Sequence, residues 1–124
     1  MDTRYTDVVN ALQNYFDGLY ESNTVKLAQV FHPRAQYVCA TEEPLRLLSM
    51  PEYFPIVDQR PAPDSRNEPR QDRILSIEFA GPVTAFTRVE CAIGPKFFTD
   101  FLTLIFVEGR WQIIAKVFHY DLRG

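Results

Sequence analysis

The chain has 124 residues, 46% hydrophobic and 14% aromatic, with 13 basic and 16 acidic side chains and a net charge of −3. That is enough apolar material for a real core, which excludes disorder, and too little length for two domains, so residues 1–124 are read as one domain. No basic excess stands behind the charge, and the arginines are scattered among acids, so nucleic acid is not expected as a partner.

No apolar run reaches membrane-spanning length and MDTRYTDVV lacks a leader pattern, which predicts a cytoplasmic protein without a membrane partner. Cys39 and Cys91 stand alone in apolar contexts, outside any CxxC or histidine spacing. They are read as buried thiols in a reducing compartment, with no metal site and no cofactor expected.

Val8, Leu12, Tyr15, Phe16 and Leu19 recur at helical spacing and predict a long first helix, capped by Thr3 or Thr6 with Asp7 in its first turn. Gly18 is costly inside it unless a neighbour needs close approach there. Asn23 can cap a short second helix carrying Leu27, Val30 and Phe31 inward, stopped by His32-Pro33. A strand over 35–41 follows, then a turn at Glu42-Glu43-Pro44 and a short strand over 45–48. Ser49 and Glu52 form a capping-box pattern opening a third helix, with Met50, Tyr53, Phe54 and Val57 on its apolar face. Pro55 should keep that helix short or kink it. Residues 60–71, RPAPDSRNEPRQ, read as a long loop that is either a lid or a plain connector.

Strands are expected over 73–79 and 83–93, the second with Val83, Ala85, Thr87, Val89, Cys91 and Ile93 inward. Phe97 to Asp121 closes the chain as two long strands about Glu108-Gly109. Helices first and an antiparallel meander after is an α+β order. The helices must cover one face of a curved sheet, leaving a cavity at the mouth of a cone.

Asp100 and Lys116 are polar residues in an otherwise apolar hairpin, and their placement depends on the turn. A two-residue turn puts Asp100 on one face with His119. A bulge at Gly109 slips the ladder by one and sets Asp100 directly across from Lys116. The second register is preferred, because an unpaired buried acid is strongly disfavoured. It sends Phe98, Asp100, Leu102, Leu104, Ile114, Lys116, Phe118 and Tyr120 into the cone. Phe97, Thr99, Phe101, Thr103, Ile105, Trp111, Ile113, Ala115, Val117 and His119 then face outward. That outer set is too apolar for water, which predicts a covering second copy.

Three stretches, YFDGLYESNTVKLAQVFHPRA, PEYFPIVDQRPAP and FFTDFLTLIFVEGRWQIIAKVFHYD, resemble the nuclear transport factor 2-like superfamily, within it the putative lumazine-binding (SnoaL-like) group. The resemblance spans most of the chain; Arg34 stands where that group usually carries an acid. It implies a cone-shaped α+β barrel on three N-terminal helices and a homodimer through the outer sheet face. Isomerases, dehydratases, cyclases and non-catalytic binding domains share this fold, so the fold does not choose among them.

Three readings follow. The first is a homodimeric protein binding a small hydrophobic or aromatic molecule, with Tyr15, Tyr53, Phe98, Lys116, Phe118 and Tyr120 around it. The second is an isomerase, dehydratase or cyclase with Asp100 as base and Tyr15, Tyr53 or Lys116 on an enolate-like oxygen. The third is a dimerisation module whose pocket its own side chains fill. Against each stands a plainer role: a structural Asp100–Lys116 pair, ordinary core tyrosines, a capping His32 and a packing Trp111.

Overall fold

The computed structural model describes residues 2–123. Helix α1 spans Arg4–Glu21, α2 Thr24–Val30 and α3 Met50–Gln59. Strands β1 (Phe31–Cys39), β2 (Arg46–Ser49), β3 (Arg73–Phe79), β4 (Thr84–Ile93), β5 (Lys96–Val107) and β6 (Arg110–Leu122) form one sheet in the order β2-β1-β6-β5-β4-β3. The sheet is mixed: β1 runs parallel to β6, and every other neighbour is antiparallel. It is an open, curved sheet carrying helices on one face, the α+β cone arrangement.

Val8, Leu12, Tyr15, Phe16 and Leu19 bury the inner stripe of α1. Gly18 has the reason its position demands: a Cβ there would lie 2.6 Å from Leu27 Cδ2, so α1 and α2 could not close up. Asn23 caps α2 by accepting from the Lys26 N–H. Phe31 begins β1 rather than ending α2, and Pro33 sits where the β1–β6 register shifts between Phe31 and Gln36. A residue without an N–H is tolerated at such an irregularity. At the start of α3 the Glu52 carboxylate accepts from both the Ser49 N–H and its hydroxyl, which holds its pKa down. The helix then runs ten residues through Pro55.

The loop over 60–71 is tied at several points. A short 3-10 turn forms at Asp64–Arg66, Tyr20 donates to the Glu68 carbonyl, and Arg70 bridges Asp17 and Asp72.

The β5–β6 hairpin corrects the preferred register. Glu108 and Gly109 form a two-residue turn with φ of 53° and 77°, and Val107 pairs with Arg110. No bulge falls at Gly109. The irregularity lies deeper, where Leu104 pairs with Ile113 and Thr103 with Ala115, leaving Ile114 unopposed. Below it Leu102 faces Lys116 and Asp100 faces Phe118, so Asp100 is diagonal to Lys116 rather than directly across. The bulge reverses the alternation of β6 along its length. Trp111 and Ile113 are therefore buried in the core rather than outward, and Ile114 is only half-buried. Beyond the bulge Phe98, Asp100, Leu102, Lys116 and Phe118 all point inward, while His119 and Val117 point out.

Candidate functional site

The inner end of the cone is built where α1, α3 and the central strands converge. Lys116, on β6, is 4% exposed, and Asp100, on β5, is fully buried. The lysine makes no direct ion pair with Asp100 among the described residues. Its Nζ lies over four aromatic rings, 4.9 Å from the centroid of Phe118, 5.2 Å from Tyr15, 5.3 Å from Tyr37 and 5.6 Å from Tyr53. Each desolvated ammonium–ring contact contributes about 0.5–2 kcal/mol, so the cage offsets much of what burying the charge costs. Tyr37 and Tyr53 stack at 4.4 Å and form one wall.

Burial works against the Lys116 charge, but the facing Tyr53, Asp100 and Tyr37 outweigh it, and the pKa stands above the ordinary lysine value. With four ring faces around its Nζ and Asp100 diagonal to it, Lys116 sits in surroundings that favour the ammonium form.

Asp100 is held from behind. The Tyr15 hydroxyl donates to its Oδ2 at 2.5 Å, and Oδ1 is buried with no hydrogen-bond partner. Burial raises the carboxyl pKa, with the Lys116 charge and the Tyr15 donor opposing it. Desolvation and the neighbouring carboxylate push the Tyr15 phenol well above its usual value.

Outward from the lysine lies a void of about 10 Å³, bounded by Leu19, Tyr53, Cys91 and Lys116 and, at its neck, by Tyr37, Arg60, Ile93 and Phe98. That is room for about one water. The four neck residues also line the larger cleft beyond it, about 650 Å³ in volume, whose walls include Phe118, Tyr120, Cys39 and Ile56. Its rim carries Glu42, Glu43, Arg46, Arg66 and Lys96. Tyr120 donates its hydroxyl to Glu42, and Lys96 sits 4.6 Å above the Tyr120 ring.

The structure thus brings Phe98, Phe118 and Tyr120 to the cleft and Tyr53 and Lys116 to the void behind it. Asp100 and Tyr15 form a layer deeper still and line neither space. His119, on the outer face, contacts Thr41 and Asp121, and His32 accepts from the Arg34 N–H. Sequence reasoning left out Tyr37 and Arg60. Arg60 had a legible signal, because 53, 57 and 60 follow helical spacing and carry the buried face of α3 one position past its end.

Comparisons with known proteins cover most of the chain. A family profile described as putative lumazine-binding matches residues 3–119. The chain is 24% identical over 119 residues to aldolase FrzH of Cladobotryum sp, covering 94% of this chain and 91% of the relative. An NTF-2 like protein of unknown function from Silicibacter pomeroyi DSS-3 superposes with a TM-score of 0.85 at 21% identity, over 95% of this chain and 96% of that one. An NTF2-like protein of unknown function from Shewanella baltica OS155 superposes at 0.82 with 23% identity, over 96% and 94%.

Proposed function

Because this chain belongs to the putative lumazine-binding family of the nuclear transport factor 2-like superfamily, we propose that it binds a flat or hydrophobic organic molecule in the cleft at the mouth of its cone. The observation that carries the reading is the 650 Å³ space walled by Tyr37, Phe98, Phe118 and Tyr120 and narrowing toward the Lys116 ammonium. Aromatic walls with a few convergent polar groups are the general form of a small-molecule site, and the volume lies within the usual range. The protein works as a homodimer through the outer sheet face, where Phe86, Phe101 and Val117 are each about two-fifths exposed. In this reading Tyr15 and Asp100 contact no ligand; they hold Lys116 and the Tyr53 wall in place.

The test is native mass spectrometry of the purified protein, followed by thermal-shift screening with planar heteroaromatic compounds such as lumazine. Twice the chain mass, a retained adduct or a raised melting temperature is expected. A monomer without adduct, whose melting temperature no compound moves, would sink the reading.

A second reading, an enzyme of the isomerase, dehydratase or cyclase kind, is favoured by the raised Asp100 pKa and by the relative named an aldolase. Asp100 lines neither space, so this reading requires the Tyr53–Lys116 layer to part; Asp100 would then take a proton from a carbon next to a ligand carbonyl, and Lys116 or Tyr53 would donate to the enolate oxygen until the proton returns at another carbon. Asp100→Asn would then abolish turnover and leave binding intact.

A further inference from the structure

Among the described residues of the cleft, Arg60 is the cation whose buried nitrogens have no partner. Arg66 is paired with Glu68 at 2.9 Å, and Lys96 rests on the Tyr120 ring. Arg46 is exposed on β2, where water solvates its guanidinium. The Arg60 Nε and Nη2 atoms are buried and have no hydrogen-bond partner. Buried donors of a charged group are normally paired, because desolvating them without an acceptor costs about 1–3 kcal/mol or more. The residue stands at the neck, where the cleft passes into the void, and the void is lined by two cations, Arg60 and Lys116, and by no acid. The acids of the cleft, Glu42 and Glu43, belong to its rim, and Glu42 already accepts from Tyr120. Asp100 faces Lys116 from the core side. The inner end of the site is therefore positive, apolar-walled and short of acceptors.

We propose, resting on the reading of the cleft as a ligand site, that the ligand is an aromatic organic acid whose oxyanion accepts from the Arg60 guanidinium at the neck. Its ring system lies along Tyr37, Phe98 and Phe118. A guanidinium presents two parallel N–H donors to a carboxylate or sulfonate, so one ligand group satisfies both orphaned nitrogens once the Arg60 side chain turns them from their buried position toward the cleft. The Lys116 ammonium behind the neck adds attraction without needing contact.

The experiment compares two fluorescent probes of nearly equal shape: 8-anilinonaphthalene-1-sulfonate, an anion, and N-phenyl-1-naphthylamine, which lacks the sulfonate. The wild-type chain should bind the anion more tightly. Arg60→Gln should weaken the anion by about tenfold or more and leave the neutral probe within about twofold, with Arg60→Lys in between. Because no internal partner is lost, Arg60→Gln should melt no lower than wild type without probe. Should Arg60→Gln fold poorly, the wild type alone decides. Naphthalene-2-carboxylate should displace the neutral probe at lower concentration than naphthalene-2-carboxamide. Equal binding of both probes to wild type and Arg60→Gln, or equal displacement by acid and amide, would overturn the anion proposal and leave the cleft reading standing. Binding of neither probe would overturn both.

Discussion

At the scale of single residues, the Asp100–Tyr15–Lys116 cluster makes predictions that separate charge from packing. A carboxyl whose pKa is raised by burial binds its proton more readily folded than unfolded. Its contribution favours the fold fully below the unfolded value of about 3.9 and is lost as pH rises through the raised folded value. Asp100→Asn keeps an oxygen that can accept from Tyr15 but cannot titrate. The difference in melting temperature, variant minus wild type, should therefore grow as pH climbs from about 4 toward neutrality, followed by circular dichroism. A flat difference would mean that Asp100 does not titrate in this window. Tyr15→Phe removes the only hydrogen bond to the carboxylate among the described residues and should destabilise the fold by about 1–3 kcal/mol in a urea titration at neutral pH.

At the scale of elements, two positions are governed by backbone and close approach. Glu108 holds φ of 53° as the first residue of a turn that needs positive φ at both centres. Asparagine tolerates that region better than glutamate, so Glu108→Asn should stabilise the hairpin by about 0.5–1 kcal/mol, read as a higher urea midpoint with unchanged slope. Gly18→Ala sets two effects against each other. Alanine favours the helix by about 1 kcal/mol, while the added methyl meets Leu27 Cδ2 and Cγ at 2.6 and 2.8 Å. Leu27 is fully buried and cannot swing away, so overpacking of about 1–3 kcal/mol should win and the variant should melt lower. The Ile114 bulge is the element-scale feature with the widest reach, since it lets one strand bury Trp111 and Ile113 on one side of it and Lys116 and Phe118 on the other.

At the scale of the whole molecule, the outer face of the sheet carries the proposed dimer contact. Phe86 and Phe101 pack against one another at 5.5 Å, Arg88 lies over Phe101, and Val117 continues the patch. Phe101→Lys places a charge at its centre and leaves the inner core untouched. In the homodimer proposed above it should convert the protein to a monomer by sedimentation equilibrium, with an unchanged far-ultraviolet spectrum. A wild type that already sediments as a monomer would remove the dimer from the reading.

Much of this was legible along the chain because it is written in local period and turn chemistry. The helical stripe of Val8 to Leu19, the Ser49–Glu52 start of α3, the inward odd positions of β4 and the helix-then-sheet order all depend on neighbours within a few residues. The family resemblance rested on such stretches too. The placement of Asp100 against Lys116 was of another kind. The two-residue turn and the buried pattern of β5 favour opposite alternations on β6, and only a bulge at Ile114, set by packing Trp111, Ile113 and Lys116 against the helices together, reconciles them. The neck is likewise tertiary: Tyr37 from β1, Arg60 from the end of α3 and Phe98 from β5 meet there because the sheet curls, and no interval in the sequence records that curvature.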